Sequence, residues 1–131
     1  MSEQALPTLL LVHGAWHGAW CWEQQFAPWL REQGHDVVTM DLPGHGKPGP
    51  ERIEWFSLTD YADAVEAKLR GLGRPVIVAG HSMGGMIAQH FAARHAEKCL
   101  SLTSVFSTTG NPKLPPARPE AMKALVARPG S

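Results

Sequence analysis

The sequence predicts an α/β fold: a parallel sheet with helices on both faces. Three observations predict it. Short apolar runs alternate with stretches of helical periodicity along the 131 residues. The runs are apolar throughout instead of alternating with polar residues, as strands buried on both faces are. Clusters of glycine and proline separate the two kinds of segment. A chain of this length can form one domain that buries about two-thirds of its unfolded surface.

Leu9-Leu10-Leu11-Val12 is the first strand and ends at His13-Gly14. The segment Ala15-Trp-His-Gly-Ala-Trp-Cys-Trp22 is a loop that turns into a helix over 22–33, with Phe26, Trp29 and Leu30 on one face and a stop before Gly34. Asp36-Val-Val-Thr-Met40 is the second strand. After it, Asp41-Leu-Pro-Gly-His-Gly-Lys-Pro-Gly-Pro50 is too rich in glycine and proline to be anything but loop. Ser57 caps a third helical segment, with Asp60 three residues on and Leu58, Tyr61, Ala62, Val65 and Leu69 at helical spacing.

Pro75 to Ala79 is the third strand, 83–95 is a helix expected to be largely enclosed, and Leu100 to Phe106 is the fourth strand. The composition shifts near Thr108. Residues 1–107 therefore read as the core, and 108–131 as a proline-rich segment with a short helix from Pro119 to Val126. Crossovers in such a sheet are right-handed. Ligands bind beyond the carboxyl ends of the strands, and the loops after Val12, Met40 and Ala79 all lie on that edge.

The loop after Ala79 carries Gly80-His81-Ser82-Met83-Gly84, the spacing of a nucleophile elbow between strand and helix. Glycines are needed there because strand and helix cross closely, and the turn holds the serine in a strained conformation that lifts its hydroxyl clear. The helix behind it offers unpaired N–H groups and positive potential to an oxyanion.

Twelve acidic residues balance twelve basic ones, so the chain lacks the electrostatic footprint of a nucleic-acid or membrane binder. The first residues do not read as a signal peptide, and no apolar run nears the roughly 20 residues that span a bilayer. Cys21 and Cys99 are expected to be buried free thiols, which fits a reducing cytoplasm. No metal-ligand spacing, dinucleotide loop or phosphate loop is present, so neither a cofactor nor a metal is expected.

Taken together, His13-Gly-Ala-Trp16, Asp41-Leu-Pro-Gly-His-Gly46 and Gly80-His-Ser-Met-Gly-Gly85 resemble the α/β-hydrolase superfamily. The tandem His13-Gly-Ala-Trp-His-Gly-Ala-Trp20 is similar to small esterases and hydroxynitrile lyases of the methylesterase type. The resemblance implies a partial α/β-hydrolase fold, a four-stranded parallel sheet of order 2-1-3-4. It implies Ser82 as nucleophile, the main-chain N–H groups of Ala15 and Met83 as oxyanion donors, and a small ester or acyl substrate. It also implies a catalytic acid and histidine that this sequence does not supply. The sequence thus reads as the first half of a hydrolase about twice as long, with a cap beginning in 108–131, and as weakly active or inactive alone.

Other polar and aromatic residues near the elbow carry two readings each. His13 is expected to hold its loop by a hydrogen bond. His17 lines the pocket or anchors its loop. Trp16, Trp20 and Trp22 shape a binding site or pack. Asp41 reads as a loop-fixing acceptor and His45 as a surface turn residue. His81 should point away from Ser82. His90 and His95 fall well beyond the turn. A hydroxynitrile-type carbon–carbon lyase and a non-catalytic binding module remain as alternatives to the hydrolase. The fourth strand, Leu100 to Phe106, is expected to form an apolar sheet edge open to self-association.

Overall fold

The computed structural model describes residues 6–46, 52, 56–108, 113, 118–120 and 123. The proline-rich segment expected from 108 and the helix expected at 119–126 fall mostly outside them. Strands β1 (Leu9–Val12), β2 (Val37–Thr39), β3 (Val76–His81) and β4 (Cys99–Val105) form one parallel sheet of order β2-β1-β3-β4. That order is the expected one. It places β1 and β3 in the centre, with Leu9 opposite both Val37 and Ile77.

Helices cover both faces because successive strand residues point to opposite sides. Leu10, Val12, Val76 and Val78 form one core with Tyr61, Ala62, Val65 and Leu69 of α3 (Leu58–Leu69) and with Ile87, Ala88 and Phe91 of α4 (Met83–Arg94). Leu11 and Val37 form a smaller core with Ala27 and Leu30 on the other face. Each such buried Val, Leu, Ile or Phe side chain is worth roughly 1.5–3 kcal/mol. Helix α3 starts where the sequence places it. The Ser57 N–H donates to the Asp60 carboxylate at 2.8 Å, and the Asp60 N–H donates to the Ser57 hydroxyl at 3.2 Å.

Four expectations need correction. The helix expected over 22–33 is two helices, α1 (Trp20–Glu23) and α2 (Phe26–Glu32), because Gln25 leaves helical geometry at φ −144° and ψ −50°. The break turns Ala27 and Leu30 to the sheet and leaves Phe26 and Trp29 about half exposed. His45 is buried, not a surface residue, and packs between His13, tilted to it, and Tyr61, edge-on to it. Cys21 and Cys99 are free thiols but only half-buried. Arg94 stands out in solvent, so the enclosure of α4 stops short of its last turn.

Candidate active site

Strand β3 ends at His81 and helix α4 begins at Met83, so a single residue, Ser82, makes the turn between them. Its backbone pays for that abruptness with φ 59° and ψ −124°, a conformation L-residues rarely hold. Three hydrogen bonds fix it. The Ser82 N–H donates to the Val105 carbonyl at 2.8 Å, and the Ser82 carbonyl accepts from the N–H groups of Gly85 and Met86 at 2.9 and 3.3 Å. The flanking glycines are dictated by contact. A Cβ on Gly80 would lie 2.1 Å from the Gly84 carbonyl oxygen, and one on Gly84 would lie 2.1 Å from that of Val12. Helix α4 therefore starts directly against the ends of both central strands.

The loop after β1 closes on the same point. A Cβ at Gly14 would lie 3.3 Å from the Cβ of Ser82 and 3.1 Å from the His81 carbonyl oxygen. The segment bearing Ala15 is thus brought to the turn bearing Met83, whose N–H is among those at a helix start with no partner inside the helix. Among the described residues, three non-glycine residues have positive φ: Trp16, Ser82 and Phe106. All three follow strands at the carboxyl edge of the sheet. Phe106 carries no motif and was not anticipated; its ring stands edge-on to His81 at 5.7 Å.

His13 is fully buried. Its Nε2 accepts from the Leu42 N–H at 3.0 Å, which leaves the proton on Nδ1 to be donated to the Gly14 carbonyl at 2.7 Å. Burial pushes its pKa down to about 4, so the ring is neutral at pH 7. It is a loop clamp, as expected. The Asp41 carboxylate accepts from the Ala19 N–H at 2.7 Å and so ties the loop after β2 to the segment before α1.

Gly14, His17, Cys21, Trp22 and His81 line a cleft of about 280 Å³. Trp22 is therefore wall, whereas Trp16 and Trp20 are 41% and 51% exposed and do not pack into the core. Cys21 enters this wall unheralded, as its type and spacing carry no signal for it. Of the remaining imidazoles, His35 keeps a buried Nδ1 with no hydrogen-bond partner among the described residues, and the other three lie against groups elsewhere. His45 Nδ1 lies 3.0 Å from the Pro43 carbonyl, His90 lies 3.0 Å from the Thr59 hydroxyl, and His95 lies 3.9 Å from the Asp63 carboxylate. Among the described residues, no side chain hydrogen-bonds the Ser82 hydroxyl. Nor does any group of three or more His, Cys, Asp or Glu among them have the arrangement to hold a metal.

A sequence model of the alpha/beta hydrolase family matches residues 9–131. Methyl jasmonate esterase 1 of Vitis vinifera is 37% identical over 91 residues, which are 68% of this chain and 34% of that protein. Protein phosphatase methylesterase 1 of Mus musculus is 40% identical over 91 residues, 66% of this chain and 24% of its own. Among solved structures, a membrane phospholipase A described as a bacterial virulence factor superposes with a TM-score of 0.68 at 35% identity, covering 88% of this chain and 36% of its own. The methylesterase MES16 from Arabidopsis superposes with a TM-score of 0.67 at 26% identity, over 79% of this chain and 44% of its own. The chain spans less than half the length of each of these relatives.

Proposed function

The chain belongs to the alpha/beta hydrolase family, and from that membership we propose that it carries the nucleophile and oxyanion hole of a serine esterase. The observation that supports this most is the strained Ser82 at the strand–helix junction, with the Gly14 loop against it. The Ser82 hydroxyl oxygen attacks the carbonyl carbon of an ester. The carbonyl electron pair moves onto oxygen, which then accepts hydrogen bonds from the main-chain N–H groups of Ala15 and Met83. Collapse expels the alkoxide, which leaves as the alcohol by taking the proton that a base has removed from the Ser82 hydroxyl, and an acyl-serine remains for water to cleave. Losing one such donor typically costs about 10²–10³ in rate. The methylesterase names among the relatives favour methyl or other small esters of carboxylic acids. The two free thiols fit a reducing, cytoplasmic setting.

The Ser82 proton needs an acceptor, and none of the described residues bonds it. On its own the chain should turn esters over slowly, at roughly the 10³–10⁴ over water that a site retains without its triad. Exogenous imidazole supplies the missing base. Added to the pure chain with p-nitrophenyl acetate, it should raise a rate that Ser82→Ala does not show once the imidazole-only rate is subtracted. Identical rescue of the parent and Ser82→Ala would remove Ser82 from the chemistry. Fast, Ser82-dependent turnover without imidazole would mean that this chain already holds a base.

A further inference from the structure

Helix α4 reaches across to the end of β4 through the amide of Gln89. Its Nε2 lies 3.0 Å from the Ser104 hydroxyl oxygen, 3.3 Å from that of Ser107 and 3.4 Å from the Thr108 carbonyl oxygen. A carbonyl can only accept, so the atom that faces Thr108 is the amide nitrogen, and it donates. The Ser104 and Ser107 hydroxyls also bond each other. Gly85 makes room for both. A Cβ there would lie 2.6 Å from the Ser104 oxygen and 2.7 Å from the Ser107 oxygen.

These anchors stand on either side of Phe106, whose φ is 50°. A non-glycine residue keeps such a conformation only where its surroundings over-determine it. Gln89 bridges the strained residue, tying Ser104 before it to Ser107 and Thr108 after it. The segment so held meets the elbow twice. The Val105 carbonyl accepts from the Ser82 N–H at 2.8 Å, and the Phe106 ring stands edge-on to His81. Of the three bonds that fix the Ser82 backbone, two come from α4 itself. The Val105 bond is the one that ties the turn to a neighbouring strand.

Resting on the reading of Ser82 as nucleophile, we infer that Gln89 is a positioning residue for the reaction. By pinning residues 104–108 it keeps the Val105 carbonyl on the Ser82 N–H, and so keeps the Ser82 hydroxyl aimed at the ester carbonyl. Freed of Gln89, Phe106 relaxes towards negative φ. Rotation about that bond swings the peptide group between Val105 and Phe106, and the Val105 carbonyl leaves Ser82 with it. A nucleophile misplaced by about 1 Å can cost about 10²-fold in rate.

The test compares two variants. Gln89→Met keeps length and helix preference but donates nothing, and Gln89→Lys donates through an ammonium. In imidazole-rescued hydrolysis of p-nitrophenyl acetate by the whole chain, Gln89→Met should lower kcat about tenfold and leave KM within about twofold. The interaction it removes acts on attack and not on binding. Gln89→Lys should recover part of the loss. Hydrogen exchange gives a readout that needs no turnover. The Ser82 amide should exchange about tenfold faster in Gln89→Met, while the amides of β1 keep their protection. Unchanged kcat, an unchanged Ser82 amide, a Gln89→Lys no better than Gln89→Met, or a loss of protection that β1 shares would each overturn the inference. Rescue that Gln89→Met leaves untouched sinks only the role of Gln89. Absence of Ser82-dependent rescue in the parent sinks the esterase reading, and exchange at Ser82 still decides whether Gln89 holds the turn.

Discussion

The Leu42 N–H donates to Nε2 of His13 across 3.0 Å and so joins the loop after β2 to the loop that lies against Ser82. One buried ring thus holds two segments of the carboxyl edge together, and it can do so only while neutral. A proton on Nε2 would face the Leu42 N–H instead of accepting from it.

A pH dependence follows, with a definite sign. His13 in the folded protein titrates at about 4, below the ordinary 6.5, because burial disfavours the charged ring. Between those values the unfolded chain binds a proton that the folded ring refuses. Stability therefore falls as pH drops from about 6.5 to about 4 and levels off below, by about 3 kcal/mol in all. Urea unfolding of the parent and His13→Gln at pH 7, 5 and 4 isolates this contribution. The parent should lose about 3 kcal/mol more than the variant; equal losses would place the acid sensitivity elsewhere.

The turn at Ser82 predicts a trade between nucleophile and stability. Holding a non-glycine residue at positive φ costs of order 1–3 kcal/mol, and glycine relieves it against an entropic penalty of about 0.5–1 kcal/mol. Ser82→Gly should therefore unfold about 1 kcal/mol later than Ser82→Ala, a result visible in urea midpoints. Gly84→Ala should go the other way and lose about 3 kcal/mol or more, because its methyl meets the Val12 carbonyl at 2.1 Å. A Ser82→Gly no more stable than Ser82→Ala would mean the turn is relaxed.

These two sites differ in how far the sequence disclosed them. Gly80-x-Ser82-x-Gly84 was legible because steric demand at a crossing leaves glycine as the only solution, and the demand is local. Strand order was legible through the family resemblance, and the α3 start through a four-residue capping pattern. His45 was not legible. Its burial comes from His13 and Tyr61, which the fold brings to it from other elements, and no local spacing records that. The outward faces of Phe26 and Trp29 were hidden for a related reason. A short helix on a narrow sheet face packs through its small residues, here Ala27, and periodicity cannot tell which apolar stripe wins. The wall formed by Cys21 and the strained Phe106 likewise depends on where two loops end up, not on their letters.

Asp41 gives a third test, on the Trp-rich loop. Its carboxylate accepts from the Ala19 N–H at 2.7 Å from an exposed position, so Asp41→Ala should cost about 1 kcal/mol. Asp41→Asn keeps an acceptor and should cost less. Hydrogen exchange localises the effect: the Ala19 amide should exchange faster in Asp41→Ala, while amides of β3 keep their protection. An unchanged Ala19 amide would show that the bond does not hold the loop.

The fourth test concerns β4, where one side of the strand has no neighbour among the described residues. Leu100, Leu102 and Val105 are 55%, 39% and 41% exposed there, and Phe106 is 86% exposed. An apolar edge with unpaired main-chain groups is a template for another strand. Two copies of this chain can meet along it, each covering the other's Leu100 and Leu102. Sedimentation of the pure chain should then show association that grows with concentration. Leu102→Lys places a charge on the edge without entering either core, so it should leave the urea midpoint within about 0.5 kcal/mol and shift the sedimentation towards monomer. A parent that stays monomeric at high concentration, or a Leu102→Lys that associates as strongly as the parent, would mean that this edge is not where copies meet.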